Sequence, residues 1–131
     1  MEQICFIELS DVVYFFEEEM RYAGTNGWIR DDFELEACIE SPKHTFGGEY
    51  LLDIYGMASK YIASFAIRHP FSDGNKRVGA VCAVVFLEAN GHDFKEKYEE
   101  EMADVIYSYL RKEIDEEGLR EYFAERCATT G

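Results

Sequence analysis

His69-Pro70-Phe71-Ser72-Asp73-Gly74-Asn75-Lys76-Arg77 runs without a break into ten uncharged residues, Val78 to Leu87. The second part reads as a buried helix, and the first as the loop that opens it. The first backbone N–H groups of a helix have no intrahelical partner and point outward, so such a loop is a ready-made anion site. Gly74 lets the backbone approach a ligand closely, and Lys76 and Arg77 add formal charge where a phosphate would sit. His69, on the far side of the turn, can accept a proton near neutral pH. A base, a carboxylate (Asp73) and a phosphate cradle in one short segment suggest phosphoryl or nucleotidyl transfer.

Upstream, Leu51, Tyr55, Ala58, Ile62 and Phe65 follow helical spacing, and His69 is the next member of that stripe. This predicts a helix over 49–68 whose inward face ends in the histidine, with Pro70 breaking it. Downstream, Gly79, Ala80, Ala83 and the Asn90-Gly91 stop favour a central helix over 75–89 despite its β-branched content. Four more helices are predicted, at 11–23 (capped by Ser10, ended by Gly24), 31–40, 98–112 and 116–126. In the last, Leu119, Tyr122 and Phe123 are buried. Trp28 is expected to anchor the loop after the first helix. The fold class is therefore all-α: a compact bundle of about six helices around the apolar one, forming a single domain over 1–131.

At 131 residues the chain can bury about two thirds of its unfolded surface. With 47% hydrophobic and 15% aromatic residues it has material for a core. Its 27 acidic and 13 basic residues leave a net charge of −14, which argues against nucleic acid or an anionic membrane as direct partner. The runs Glu17-Glu18-Glu19 and Glu99-Glu100-Glu101 read as solvated helix faces. Cysteines 5, 38, 82 and 127 form no CxxC pair and no zinc spacing. Cys38 and Cys82 read as buried and Cys127 as an exposed thiol, a usage that suits a reducing cytoplasm. The N-terminus lacks a basic segment followed by an apolar core, and no uncharged run is long enough to span a bilayer.

The pattern His69-x-Phe71-x-Asp73-x-Asn75-Lys76-Arg77 resembles the signature of the Fic/Doc superfamily, and of its Doc (death-on-curing) branch in particular. Ile29-Arg30-Asp31, Leu35-Glu36-Ala37, Ser41-Pro42 and Thr45-Phe46-Gly47-Gly48 keep the order found upstream of the motif in Doc-like proteins. Phe86 to Gly91 matches the segment on the C-terminal side of the motif in those proteins, so the similarity spans roughly residues 6 to 127.

The resemblance implies that His69 deprotonates a target hydroxyl and that Asp73 supports Mg²⁺ and phosphate binding. It also implies that Gly74 and Asn75 hold phosphate oxygens of ATP, while Lys76 and Arg77 offset transition-state charge. Thr45, Phe46, Gly47 and Gly48 would form a flap that aligns the target peptide, against the competing reading of a tight turn with Phe46 on the core. Phe71 reads as an apolar peg, and Ser72 as facing the loop exterior. Arg68 reads equally as a supporting cation or a solvated helix end, and His44 and His92 as surface residues. Adenylyl-transferring members read HxFx(D/E)GNGRxxR, whereas this chain has Lys76 in place of the second glycine and Ala80 in place of the second arginine. Doc-type proteins share both changes. The resemblance thus implies γ-phosphate transfer to a protein hydroxyl, a threonine of translation elongation factor Tu, with arrest of translation. The alternatives are an adenylyltransferase and a catalytically idle binding module. The complete inhibitory pattern (S/T)xxxE(G/N) does not occur, so a separate cognate antitoxin is the expected partner.

Overall fold

Carboxylates set most of the helix starts. In the computed structural model, which describes residues 3–94 and 99–129, α1 (Leu9–Ala23) opens with a reciprocal box between Glu8 and Asp11 and ends at Gly24, φ 69°. Asp31 accepts from the Glu34 N–H to open α2 (Asp32–Glu40), which leads into a 3₁₀ turn over Ser41–Lys43. β1 (Thr45–Phe46) and β2 (Glu49–Tyr50) pair antiparallel around Gly47 and Gly48, both at positive φ as a two-residue hairpin demands. Asp53 accepts from the Gly56 N–H to open α3 (Ile54–Arg68). Then come α4 (Asn75–Ala89), β3 (His92–Phe94), α5 (Glu99–Leu110), α6 (Glu116–Arg126, capped by Asp115) and β4 (Cys127–Thr129), which pairs antiparallel with β3. Five of the 27 acidic residues thus cap helix N-termini, where negative charge is favourable. Asp53 also holds Arg120 of α6. Burial alone would raise its pKa, but the Arg120 guanidinium and the Gly56 N–H outweigh that and hold it below the usual carboxylate range. The contribution of this bridge is therefore present at neutral pH and lost as pH falls through that range.

The core sits where α3 crosses α4. A Cβ added to Gly79 would meet Phe65 Cβ at 3.1 Å and the Ile62 backbone at 3.4 Å, so the bare glycine allows close approach. Val12, Phe16 and Met20 cover one side of this pair, and Leu119 and Phe123 pack with the same cluster from α6. α4 is fully buried at Val78, Cys82, Phe86 and Leu87, but Val81 is exposed and Val84 and Val85 are half-buried. It is therefore open along one face instead of enclosed all round.

The mostly helical fold is as expected, with differences in detail. α1 begins before Ser10, because Glu8 and Asp11 satisfy each other across the first turn. α3 begins at Ile54, not 49, since Gly47 and Gly48 turn the chain into a hairpin; Leu51 is consequently 63% exposed. The start expected for α5, at 98, lies outside the described residues. Trp28 is 65% exposed, not buried as an apolar anchor. The β3–β4 pair was not foreseen, being too short for an alternating pattern to register.

Burial pushes the Cys38 thiol up to about 12 and that of Cys127 up to about 11; Cys82 is also raised by burial. Cys127 is partly buried in β4, not exposed, and Cys5 is the exposed thiol. A thiol reagent at neutral pH should therefore label Cys5 first and reach Cys38 and Cys82 only on unfolding, read by mass spectrometry of digests. Gly79→Val should cost about 1–3 kcal/mol in urea denaturation, because the added branch forces α3 and α4 apart. Unchanged stability would contradict the close crossing.

Candidate active site

α3 ends at His69, which adopts the left-handed conformation (φ 49°, ψ 60°). Among the described residues the only other non-glycine with positive φ is Lys112. For a residue with a Cβ this costs roughly 1–2 kcal/mol, so surrounding bonds must hold it. They come from the strap 28–31. Arg30 Nε donates to the His69 carbonyl at 2.6 Å, and Arg30 Nη2 donates to the Arg68 carbonyl at 2.9 Å. The N–H groups of Arg30 and Asp31 both reach the Pro70 carbonyl, at 2.8 and 3.2 Å. Trp28 and Ser72 close the far end: the Ser72 N–H donates to the Trp28 carbonyl, and the Trp28 N–H to Ser72 Oγ, each at 3.0 Å.

Between these bonds Phe71 drops its ring into the core, stacked 4.1 Å from Phe16 and 6.3 Å from Phe65. Asn75 holds the same residue from the other side. Its Oδ1 accepts from the Phe71 N–H at 2.9 Å and its Nδ2 donates to the Phe71 carbonyl at 3.0 Å, all buried. A mainly apolar surrounding makes this two-point grip costly to break, since the freed peptide groups would be unsatisfied.

The loop then turns at Gly74 (φ 76°), where a Cβ would also press on Met20 and Glu19. The Gly74 N–H is taken by the Asp73 carboxylate at 2.8 Å. The next three N–H groups, of Asn75, Lys76 and Arg77, have no acceptor among the described residues. They open α4, a fifteen-residue helix whose dipole adds positive character there. A groove of about 800 Å³ starts at this turn and runs along the open face of α4. Glu19, Asp73, Lys76 and Arg77 lie at its polar end, and Val81, Val84, Val85, Met102, Ile106 and Tyr107 along its apolar walls. Lys76 Nζ lies 5.7 Å from the centre of the Tyr107 ring, and Arg77 pairs with Glu19 at 2.8 Å.

The structure therefore brings Asp73, Gly74, Asn75, Lys76 and Arg77 to one groove. His69 is on the same loop but not among the groove's lining residues. It is exposed, not inward-facing, because the left-handed turn takes it off the helical stripe; its ring has no hydrogen-bond partner among the described residues. Asn75 spends its side chain on the loop instead of pointing it at a ligand, and the Gly74 N–H is likewise engaged. Ser72 is half-buried, with Oγ engaged. Arg68 pairs with Glu34 at 3.0 Å. His92 is half-buried against Tyr55, whose hydroxyl lies 3.0 Å from Nδ1. Phe46 is 81% exposed, so the hairpin is not a core-packed turn. Two residues escaped the sequence reading. Glu19 was hidden in a run of three glutamates, and Arg30 bonds carbonyls 38 and 39 residues away, a relation with no local signature.

The sequence profile of the Fic/DOC family matches residues 6–87, well over half of the chain. The protein belongs to the Fic/DOC family. It is also similar to the protein named "Protein kinase doc" of Escherichia phage P1, at 32% identity over 71 residues. That similarity takes in 54% of this chain and 56% of the phage protein, so it spans little more than half of that relative. The resemblance to the Doc branch is borne out by this match. No helix among the described residues is long and apolar enough to cross a membrane.

Asn75→Ala should lower stability by about 2–3 kcal/mol, because both Phe71 peptide groups lose their partner in a buried setting. Chemical denaturation measures it; a loss under about 0.5 kcal/mol, the size of an ordinary surface substitution, would contradict the two-point grip.

Proposed function

We propose that this protein is a Doc-like toxin that transfers the γ-phosphate of ATP to a hydroxyl of a protein, with a threonine of elongation factor Tu as substrate. One observation carries the reading: three N–H groups without an acceptor among the described residues open a long helix at the head of a nucleotide-sized groove, on the same loop as an imidazole that has no partner among them either. His69 takes the proton of the target hydroxyl, whose oxygen forms the new bond to the γ-phosphorus as the bond to the leaving ADP breaks. The N–H groups of Asn75, Lys76 and Arg77, with the Lys76 ammonium, neutralise charge gathering on the transferred oxygens. Asn75 contributes its backbone here, while its side chain keeps the loop in shape.

Asp73 fits a role in holding Mg²⁺. It is an exposed carboxylate with one oxygen on Gly74, and Mg²⁺ is commonly held by one or two carboxylates, phosphate oxygens and water. No group of three or more His, Cys, Asp or Glu is gathered into a cage among the described residues. When bound there, the ion would relieve the crowding of negative charge on the phosphates. The hairpin at 45–50 supports the flap reading, since a two-stranded ribbon has outer edges that can pair with an extended peptide.

Lys76 narrows the groove where adenylyl-transferring relatives have glycine, and Ala80 lines it where they have arginine. Both favour presentation of the terminal phosphate to His69. Thr45 to Glu49 does meet the first five positions of the inhibitory pattern, but Tyr50 fills the sixth and the segment is a hairpin. A separate cognate antitoxin is accordingly the partner we assign, and the cytoplasm the compartment.

With ATP labelled at the α- or the γ-phosphate and purified elongation factor Tu, label should be retained only from the γ position. Retention from α alone would establish adenylylation instead. His69→Ala should reduce transfer by about 10²-fold or more and abolish growth arrest; undiminished arrest would favour a binding module. Lys76→Gly should lose γ-transfer, and unchanged transfer would show that Lys76 does not set nucleotide polarity.

A further inference from the structure

We infer that Arg30 is a positioning residue for His69, fixing through the backbone where the imidazole stands. The inference rests on the reading of His69 as the base. The ring itself is exposed and bonded to nothing among the described residues, so no side-chain contact aims it. Its placement depends on the backbone at 69, which is held in the left-handed region that residues with a Cβ adopt uncommonly. The His69 N–H reaches the Phe65 carbonyl at 3.2 Å, an ordinary helix-end bond. The Arg30 fork binds the carbonyls of residues 68 and 69 together, and its own N–H binds that of residue 70. One residue thus holds three successive carbonyls at the point where helix becomes loop.

The choice of partner is informative. In a chain with twice as many acidic as basic residues, Arg30 makes no ion pair with a carboxylate among the described residues. A guanidinium can bridge two oxygens in fixed geometry, and it is the short Nε bond at 2.6 Å that falls on His69. A plain stabilising role, a cation on the C-terminal end of α3, would need only the charge. Displacing a reacting group by about 1 Å can cost on the order of a hundredfold in rate, so loss of the fork would appear in turnover before nucleotide binding.

The test compares wild type, Arg30→Lys, Arg30→Met and His69→Ala as full-length purified proteins, with two readouts. The first is the intraresidue HN–Hα NOE of His69, strong only when φ is positive. The second is transfer from γ-labelled ATP to elongation factor Tu, with kcat separated from KM for ATP. Both Arg30 variants should weaken the NOE and lower kcat about tenfold to a hundredfold, with KM within about twofold. Arg30→Lys should melt within a few degrees of wild type. An Arg30→Lys protein that keeps both the NOE and kcat would reduce Arg30 to a helix-end charge and overturn the inference. If wild-type protein transfers no label, the proposed function fails, while the NOE still decides whether Arg30 holds the backbone of His69.

Discussion

Phe71 is the point on which the site is built. Its ring is locked between Phe16 and Phe65, and its peptide groups are gripped by the Asn75 carboxamide. The six-residue loop 69–74 therefore cannot slide relative to either the core or the start of α4. This registration leaves the first N–H groups of α4 without an acceptor among the described residues. An equivalent grip exists at the other end of the helix, where Asn90 binds both the N–H and the carbonyl of Cys5 at 2.9 Å. The central helix is thus tied at each end by an asparagine carboxamide that takes both peptide groups of one residue, the buried Phe71 at its start and the exposed Cys5 at its end.

Held this way, the loop makes a local exception in an acidic molecule. Lys76 and Arg77 bring two cations to a helix N-terminus, while Asp73 and Glu19 stand beside them. Glu19 is mostly buried and Arg77 mostly exposed, so their pair belongs more to the loop's packing on α1 than to surface decoration. The strap at 28–31 completes the frame from the opposite side. Five main-chain or side-chain bonds from Trp28, Arg30 and Asp31 reach residues 68 to 70 and 72, and the Ser72 N–H returns one to Trp28.

The parts legible in the sequence were those governed by local rules. The central helix at 75–89, the sixth helix at 116–126, and the burial of Cys38 and Cys82 come from apolar spacing, and Phe71 is the core peg expected of it. The residues of the motif loop were legible as a group for the same reason. Features set by distant partners or by backbone sign could not be read. The helical stripe pointed His69 inward, but a left-handed residue takes the chain off that stripe. Asn75 reads as a ligand-binding amide until Phe71 claims it. Trp28 reads as an anchor, yet the strap it belongs to is held by its peptide groups. Arg30 stands in the Ile29-Arg30-Asp31 stretch that resembles Doc-like proteins, but its role had no signal, because its partners are carbonyls, which carry no residue identity.

In the proposed mechanism the first N–H groups of α4 receive the phosphates of a nucleotide. Titrating isotopically labelled full-length protein with ATP, and watching the backbone amides by heteronuclear NMR, puts that contact to the test with no enzyme assay in between. The largest shifts should fall on Asn75, Lys76 and Arg77, grow with saturation, and weaken as salt is raised. Shifts that leave these three amides unmoved, or that centre elsewhere on the molecule, would contradict it.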